Sequence, residues 1–327
     1  MEKHPHTLLT IGILHKGETE FKLFDQTGEI PYKSHLYEMG SIGKTFTTSL
    51  LAKYVSEGKM NLDDSVAKYI PELDDDKYYP TLRRLATHTA GYSEYHNIDN
   101  NLKLTLKIIW RNNILKKQQL LQDVFTMDKN EMIRLAEVAK LEDKDYPWMY
   151  SNFGMALLGQ AISHVAGKDF VTLVNEYLGQ DLQLSNTIVA HNYDQLIQSY
   201  DVKNQEISPY IADEQEMFLP AGAAMFSIAE DLLAYARLNL TETPAYLTLA
   251  HEYQAKGQKD SGMDMALGWW LNVDEKVWWH GGNTSGFATS LAFSKEKKFA
   301  CVILANIQDY AEREALGNAV LLENWES

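Results

Sequence analysis

Strand-forming sequence is confined to the two ends of this chain, and that placement restricts the fold more than any other feature. Residues 7–25, TLLTIGILHKGETEFKLFD, read as two strands around a turn at Lys16-Gly17. Near the far end, EKVWWH, ATSLAFS and KFACVILAN read as three more strands, joined by the short connections GGNTSGF and KEK. Short connections favour antiparallel pairing, because parallel strands need a long crossover. A helix over roughly residues 310–322 closes the chain. The expected fold is α+β: an antiparallel five-stranded sheet built from both chain ends, flanked by helices, with a mostly helical region inserted between. Residues 1–60 and 261–327 then make the sheet-and-helix part of one domain, and residues 61–260 the inserted part. A cleft between the two is where a site is expected.

Three helices mark the inserted region and its border. After Ser41, Phe46, Leu50 and Tyr54 recur every four residues, and Gly58 is placed to end the helix. After Asn152, Met155, Leu158, Ile162 and Val165 share a face, with Gly167 as the stop. SIAEDLLAYARLNL opens with the capping-box pattern Ser227-x-x-Glu230. The charged stretch 95–146 reads as an amphipathic helical cover with a solvated outer face, or as a segment that shapes a substrate pocket.

A net charge of −15 argues against nucleic acid or an anionic membrane as partner, since both need a basic face. No apolar run reaches the length of a membrane span, and no signal peptide opens the sequence. The chain as written reads as cytoplasmic; with an export signal removed it would be secreted or displayed at the cell surface. The lone Cys301 lies in an apolar strand and reads as a buried thiol. No zinc spacing occurs: HEYQA at His251 lacks the second histidine, and neither metal nor organic cofactor is expected. Oligomeric state is not legible.

MGSIGKTFTT, residues 39–48, admits two readings. Gly43-Lys44-Thr45 ends like a phosphate-binding loop, but that loop needs glycine where Glu38 stands. A carboxylate beside a phosphate is repelled, and the parallel βαβ setting is missing. The same stretch holds Ser41-x-x-Lys44, which places a lysine within reach of a serine hydroxyl at a helix start. There the unpaired N–H groups favour developing negative charge, and the lysine supplies the base a serine nucleophile needs. Taken alone, the pattern is more often a capped helix start with a solvated lysine than a catalytic pair.

Two further stretches bear on the choice. YPWMYSNFGMALLG places Tyr150 and Asn152 two apart before a helix, so both can point one way. A tyrosine beside a lysine can serve as general base, and Asn152 can donate to a substrate carbonyl and hold Lys44. The plainer alternative is a core tyrosine followed by an N-cap asparagine. In WWHGGNTSGF, His280 precedes Gly281 and Gly282, which allow close approach of another backbone. The N–H of Asn283 could complete an oxyanion hole with that of Ser41. A glycine-rich hairpin turn with an incidental histidine reads the same letters equally well. His88, in THTAGY, reads as a buried, hydrogen-bonded residue, not a triad base, and no Gly-x-Ser-x-Gly elbow occurs.

In this order, Ser41-Ile42-Gly43-Lys44, Tyr150-Ser151-Asn152 and His280-Gly281-Gly282 resemble the three motifs of the class C β-lactamase and penicillin-binding-protein-like serine hydrolase family. MNLDDSVAKYIPEL, RRLATHTAGY, PAGAAMFSIAEDLLAYARL and ALGWWL extend the resemblance from about residue 8 to about residue 320. The resemblance implies a β-lactamase/transpeptidase-like fold and a small-molecule or peptide substrate. It implies that Ser41 is acylated, Tyr150 with Lys44 moves its proton, Asn152 orients the substrate amide, and His280 faces the substrate across the cleft. Class C β-lactamases carry lysine and threonine in the third motif; His280 and Gly281 are similar to the D-Ala-D-Ala carboxypeptidase, D-aminopeptidase and esterase branches. The implied activity is hydrolysis of a peptide, amide or ester through an acyl-enzyme. The alternatives are a penicillin-binding protein or weak β-lactamase with slow deacylation, and a non-catalytic binding protein that keeps the fold.

Overall fold

A computed structural model describes residues 4–74, 76–94, 96, 127–189, 196–208 and 217–308. Near the N-terminus run β1 (Leu9–His15), β2 (Glu18–Asp25), β3 (Gly28–Ile30) and the short β4 (Tyr37–Glu38). The middle of the chain holds β5 (Ile188–Val189), β6 (Ser199–Tyr200), β7 (Glu206–Ile207) and β8 (Met225–Ser227). Toward the C-terminus follow β9 (Ala255–Lys256), β10 (Asp264–Met265), β11 (Trp270–Asn272), β12 (Val277–Asn283), β13 (Ala288–Ser294) and β14 (Phe299–Ala305).

One antiparallel sheet dominates, in the order β3-β2-β1-β14-β13-β12-β11-β10-β9. The five expected strands are its contiguous centre, β2-β1-β14-β13-β12. The sheet is nevertheless nine strands wide, not five. The four additional strands have two or three residues each, too few to display a period of two. A second difference concerns GGNTSGF: β12 runs on through His280, Gly281, Gly282 and Asn283, so only Thr284 to Phe287 turn the hairpin.

β14 is buried at every position, as suits a central strand covered on both faces. The helix Ala229–Thr241 packs against β1, β13 and β14 on one of those faces. The other face carries a small cluster of Ile11, Phe299, Cys301 and Ile303. Burial pushes the Cys301 thiol up to about 12, which leaves it protonated and inert.

Helix α1 (Gly43–Ser56) runs through the centre of the molecule. The expected stripe of Phe46, Leu50 and Tyr54 is buried, but so are Lys44, Thr45, Thr47, Thr48 and Ser49. Its hydroxyls are satisfied by carbonyls, since a buried polar group without a partner is costly. Thr47 donates to Pro220 at 2.8 Å and Thr48 to Leu267 at 2.9 Å, so the hydroxyls also tie two loops to the helix. Gly58 follows the helix end with φ +69, as its position suggested.

The helix Asn152–Ala166 ends at Gly167, whose φ of +66 closes the last turn through bonds to His164 and Ser163. Its first residue is Asn152, and the cap is Ser151, which accepts the Gly154 N–H at 2.9 Å. The asparagine is therefore not the N-cap. Nor does Ser227 cap the helix after it. That hydroxyl sits in β8, bonded to Thr187 at 2.8 Å, and the helix begins at Ala229 without a side-chain cap. The Ser-x-x-Glu spacing is present, but pairing in the small β4-β8-β5 sheet claims the serine first.

Of the stretch 95–146, the part described beyond residue 126 holds a helix, Lys129–Val138, that buries Met132, Leu135 and Ala136 beneath a solvated face. Most of the remainder lies outside the described residues, as does the helix expected over 310–322. Among the described residues no helix is long and apolar enough to cross a membrane.

Candidate active site

The turn Gly40–Ile42 precedes α1 and carries Ser41 at the head of the central helix. One turn on, the Lys44 ammonium donates to Ser41 Oγ at 3.0 Å and to the Ala221 carbonyl at 2.6 Å. The bond to Lys44 is the side-chain hydrogen bond that Ser41 makes among the described residues. Lys44 is fully buried, which pushes its amine down to about 7; the nearby Glu94 carboxylate opposes the shift. Near neutral pH a large fraction of this amine carries a free lone pair, the state in which it can accept a proton from serine.

Tyr150 comes from the extended segment before the helix Asn152–Ala166 and lays its ring under the Lys44 nitrogen, 4.8 Å from the ring centroid. His88 backs the same ring at 4.6 Å. His88 is buried, as expected, and its Nδ1 accepts the Ser151 N–H at 3.2 Å. Burial holds its imidazole well below the usual range, so it stays neutral beside Lys44. The His88 carbonyl accepts the Met149 N–H at 2.8 Å, and the Glu94 carbonyl accepts the Asn152 N–H at 3.1 Å. The Tyr150-Ser151-Asn152 segment is thus held on both sides by residues 88–94. Asn152 is buried next to this segment, but it forms no hydrogen bond with Lys44. The expected hold on the lysine is exerted by the Ala221 carbonyl instead.

Across from Ser41 runs the far end of β12. β11 pairs with β12 only as far as Trp279, so beyond it the strand's outer edge meets the Ser41 turn. His280 is buried, and its Nδ1 donates to the Gly281 carbonyl at 2.7 Å. A Cβ on Gly282 would lie 1.9 Å from the Met39 carbonyl oxygen, and one on Gly40 would lie 2.9 Å from the Asn283 nitrogen. The Asn283 backbone therefore abuts the residue before Ser41. The structure brings Ser41, Lys44, Tyr150 and the Gly282-Asn283 backbone together from three separate parts of the chain.

Sequence reasoning assigned no part here to Ala221 or Glu94. A backbone carbonyl has no residue signature, and PAGAAMF offered only Gly222, whose φ is +94. Glu94 is recognisable only once the chain has folded it toward Lys44.

Glu38, three residues ahead of Ser41, is 3% exposed in β4. Burial pushes its carboxyl from 4.5 up to about 7, partly offset by the Thr284 hydroxyl. The folded chain holds this proton where the unfolded chain has released it. Stability therefore falls as pH rises from about 4.5 to about 7 and is level beyond. Glu38→Gln removes that dependence. Its melting temperature relative to wild type is expected to rise between about pH 5 and about pH 8, by the equivalent of up to about 3 kcal/mol. Parallel pH curves for the two proteins would contradict the assignment.

A sheet built from both chain ends packs beside a central helix headed by a serine and a buried lysine. The family model described as Beta-lactamase matches residues 9–324, and the chain belongs to that family. It is 22% identical over 281 residues to Protein flp of Staphylococcus aureus (strain MW2), a match covering 83% of this chain and 53% of that protein. The chain thus spans about half the length of the curated relatives it matches first. In fold it is similar to a β-lactamase/D-alanine carboxypeptidase from Pseudomonas syringae, with a TM-score of 0.78, 19% identity, and coverage of 100% of this chain and 96% of that one. It is also similar to a D-stereospecific amidohydrolase from Streptomyces sp., with a TM-score of 0.73, 20% identity, and coverage of 96% and 93%.

Proposed function

We propose that this chain hydrolyses an amide or ester of D-peptidase or esterase type through an acyl-enzyme on Ser41. The observation that carries this reading is the 3.0 Å bond between Ser41 Oγ and a lysine whose amine is buried down to about 7. Ser41 Oγ attacks the substrate carbonyl carbon while its proton passes to the Lys44 amine. The tetrahedral oxyanion lies between the N–H groups of Ser41 and Asn283, where donors fixed in advance are worth most. Collapse breaks the bond to the amine or alcohol, which leaves with a proton returned through Lys44 and Tyr150. Water then attacks acyl-Ser41 by the same route and frees the serine. Asn152 orients the substrate amide, and His280 stands at the far wall.

Gly281 favours this reading over efficient β-lactam hydrolysis, because it offers no hydroxyl to a substrate carboxylate. The test is intact-protein mass spectrometry after treatment with a fluorophosphonate, a p-nitrophenyl ester or a simple penicillin, followed by peptide mapping. The expected result is a fluorophosphonate adduct on Ser41 together with ester turnover. A long-lived penicillin adduct on Ser41 would move the assignment to a penicillin-binding protein. An unlabelled Ser41 with no turnover would leave a non-catalytic member of the fold.

A further inference from the structure

We propose that Thr289 is a positioning residue for the oxyanion hole. Its hydroxyl fixes the spacing between the strand that carries the Asn283 N–H and the turn that carries Ser41. The inference rests on the reading of Ser41 and Asn283 given above. Those two N–H groups belong to different elements, separated along the chain by most of its length. Two donors converge on one oxygen only if something holds the elements at a set distance, and errors of about 1 Å cost on the order of a hundredfold in rate.

Thr289 lies in β13 directly opposite Gly282 in β12 and is fully buried. A buried hydroxyl on a central strand needs a partner. Here Thr289 Oγ1 donates to the Met39 carbonyl at 2.8 Å, two residues before Ser41. The bond crosses the space above Gly282: a Cβ there would lie 1.9 Å from the Met39 oxygen and 2.3 Å from Thr289 Oγ1. Gly282 is thus required by proximity and not by an unusual φ. Met39 is held from its other side, where its N–H donates to the Met225 carbonyl at 2.9 Å. Gly40, at φ +54, then turns the chain against the Asn283 nitrogen. Hydroxyl, carbonyl and two side-chain-free positions together form a cross-tie, with Gly40 and Gly282 each one residue before a proposed donor.

The test compares Thr289→Val, which keeps the shape and loses the donor, with Thr289→Ser, which keeps the donor. With a p-nitrophenyl ester, the valine variant is expected to lose about ten- to a hundredfold in kcat with KM within about threefold of wild type. Its affinity for a boronic acid that forms a tetrahedral serine adduct should fall in parallel with kcat. The serine variant should stay within about threefold of wild type in both constants. Should the valine variant fail to fold, Thr289→Cys, close in size and a weak donor, takes its place. Its kcat should then fall below that of the serine variant at unchanged KM. A wild-type kcat in the valine or cysteine variant, or equal losses in kcat whether or not the hydroxyl is kept, would overturn the assignment alone. A wild-type protein that is neither labelled at Ser41 nor active on any ester would overturn the underlying reading with it.

Discussion

Ser41→Ala is expected to remove turnover altogether, a fall in kcat approaching the order of a millionfold seen when a serine nucleophile is deleted. Lys44→Met should fall comparably, and the double variant should be little worse than either single one. The reason lies in how few contacts each group has. Ser41 Oγ meets Lys44, and the Lys44 amine divides its hydrogen bonds between Ser41 and the Ala221 carbonyl. On the proposed mechanism, removing the amine leaves the hydroxyl without its hydrogen-bonded proton acceptor among the described residues, and removing the hydroxyl leaves the amine without the group it deprotonates. Groups that act as one unit give non-additive losses. Burial also sets the working pH: because the ammonium is held down to about 7, the rate should climb as pH rises through that value. Alanine at 41 removes one hydrogen bond and methionine fills the lysine's buried volume, so circular dichroism should report both variants folded. Steady-state kinetics on an ester, with fluorophosphonate labelling as a second readout, decides the matter. If the double variant lost the product of the two single losses, Ser41 and Lys44 would be acting independently.

Gly222→Ala should destabilise the fold severely, by about 3 kcal/mol or more. Two causes add. At φ +94 a side chain strains the backbone, and the new Cβ would lie 2.1 Å from the Gly40 carbonyl oxygen and 2.8 Å from its carbon. Both contacts are backbone atoms of the turn that presents Ser41, so no rotamer can relieve them. Relief requires moving either that turn or the Pro220-Ala221 loop, and the second choice takes the Ala221 carbonyl away from Lys44. The activity lost should therefore exceed what the residual folded fraction explains. Gly17 offers an internal control. It has the same φ of +94 but nothing within 4 Å of its Cβ position. Gly17→Ala should cost only the conformational part, about 1 kcal/mol. Urea unfolding of both variants separates the terms, and equal destabilisation would remove the steric argument.

What could be read from the letters follows a physical division. Strands long enough to show an extended apolar run, such as TLLTIGILH and KFACVILAN, announced the sheet and its origin in both chain ends. The two-residue β9 and β10 owe their strand conformation to neighbours and carry no period of their own. Two glycines argued for a turn at His280-Gly281-Gly282, yet β12 continues there. Gly282 is needed for the Met39 carbonyl to come close, a reason that exists only after folding. Ser41, Lys44 and Tyr150 were nominated because side-chain chemistry has a residue signature, and the fold brings the three together. The Ala221 carbonyl was not, since every residue has one. Helix α1 shows the same limit: its apolar stripe was legible, but the burial of its threonines depends on carbonyls supplied from residues 220 and 267.

The pairing of β1 with β14 has a consequence for how the molecule is made. Leu9 faces Ala305 and His15 faces Phe299, so the centre of the sheet joins two strands that lie far apart along the sequence. Until β14 is in place, β1 is the open edge of the ribbon β3-β2-β1, with a row of backbone N–H and C=O groups unpaired. Closing so long a loop also slows folding, because its entropy is lost before the contacts form. The middle of the chain, with α1 and the helix Asn152–Ala166, can compact during synthesis. The strand carrying the Asn283 N–H joins the sheet only near the end. The contact between the Ser41 turn and the Asn283 backbone thus forms only after distant parts of the sequence have come together.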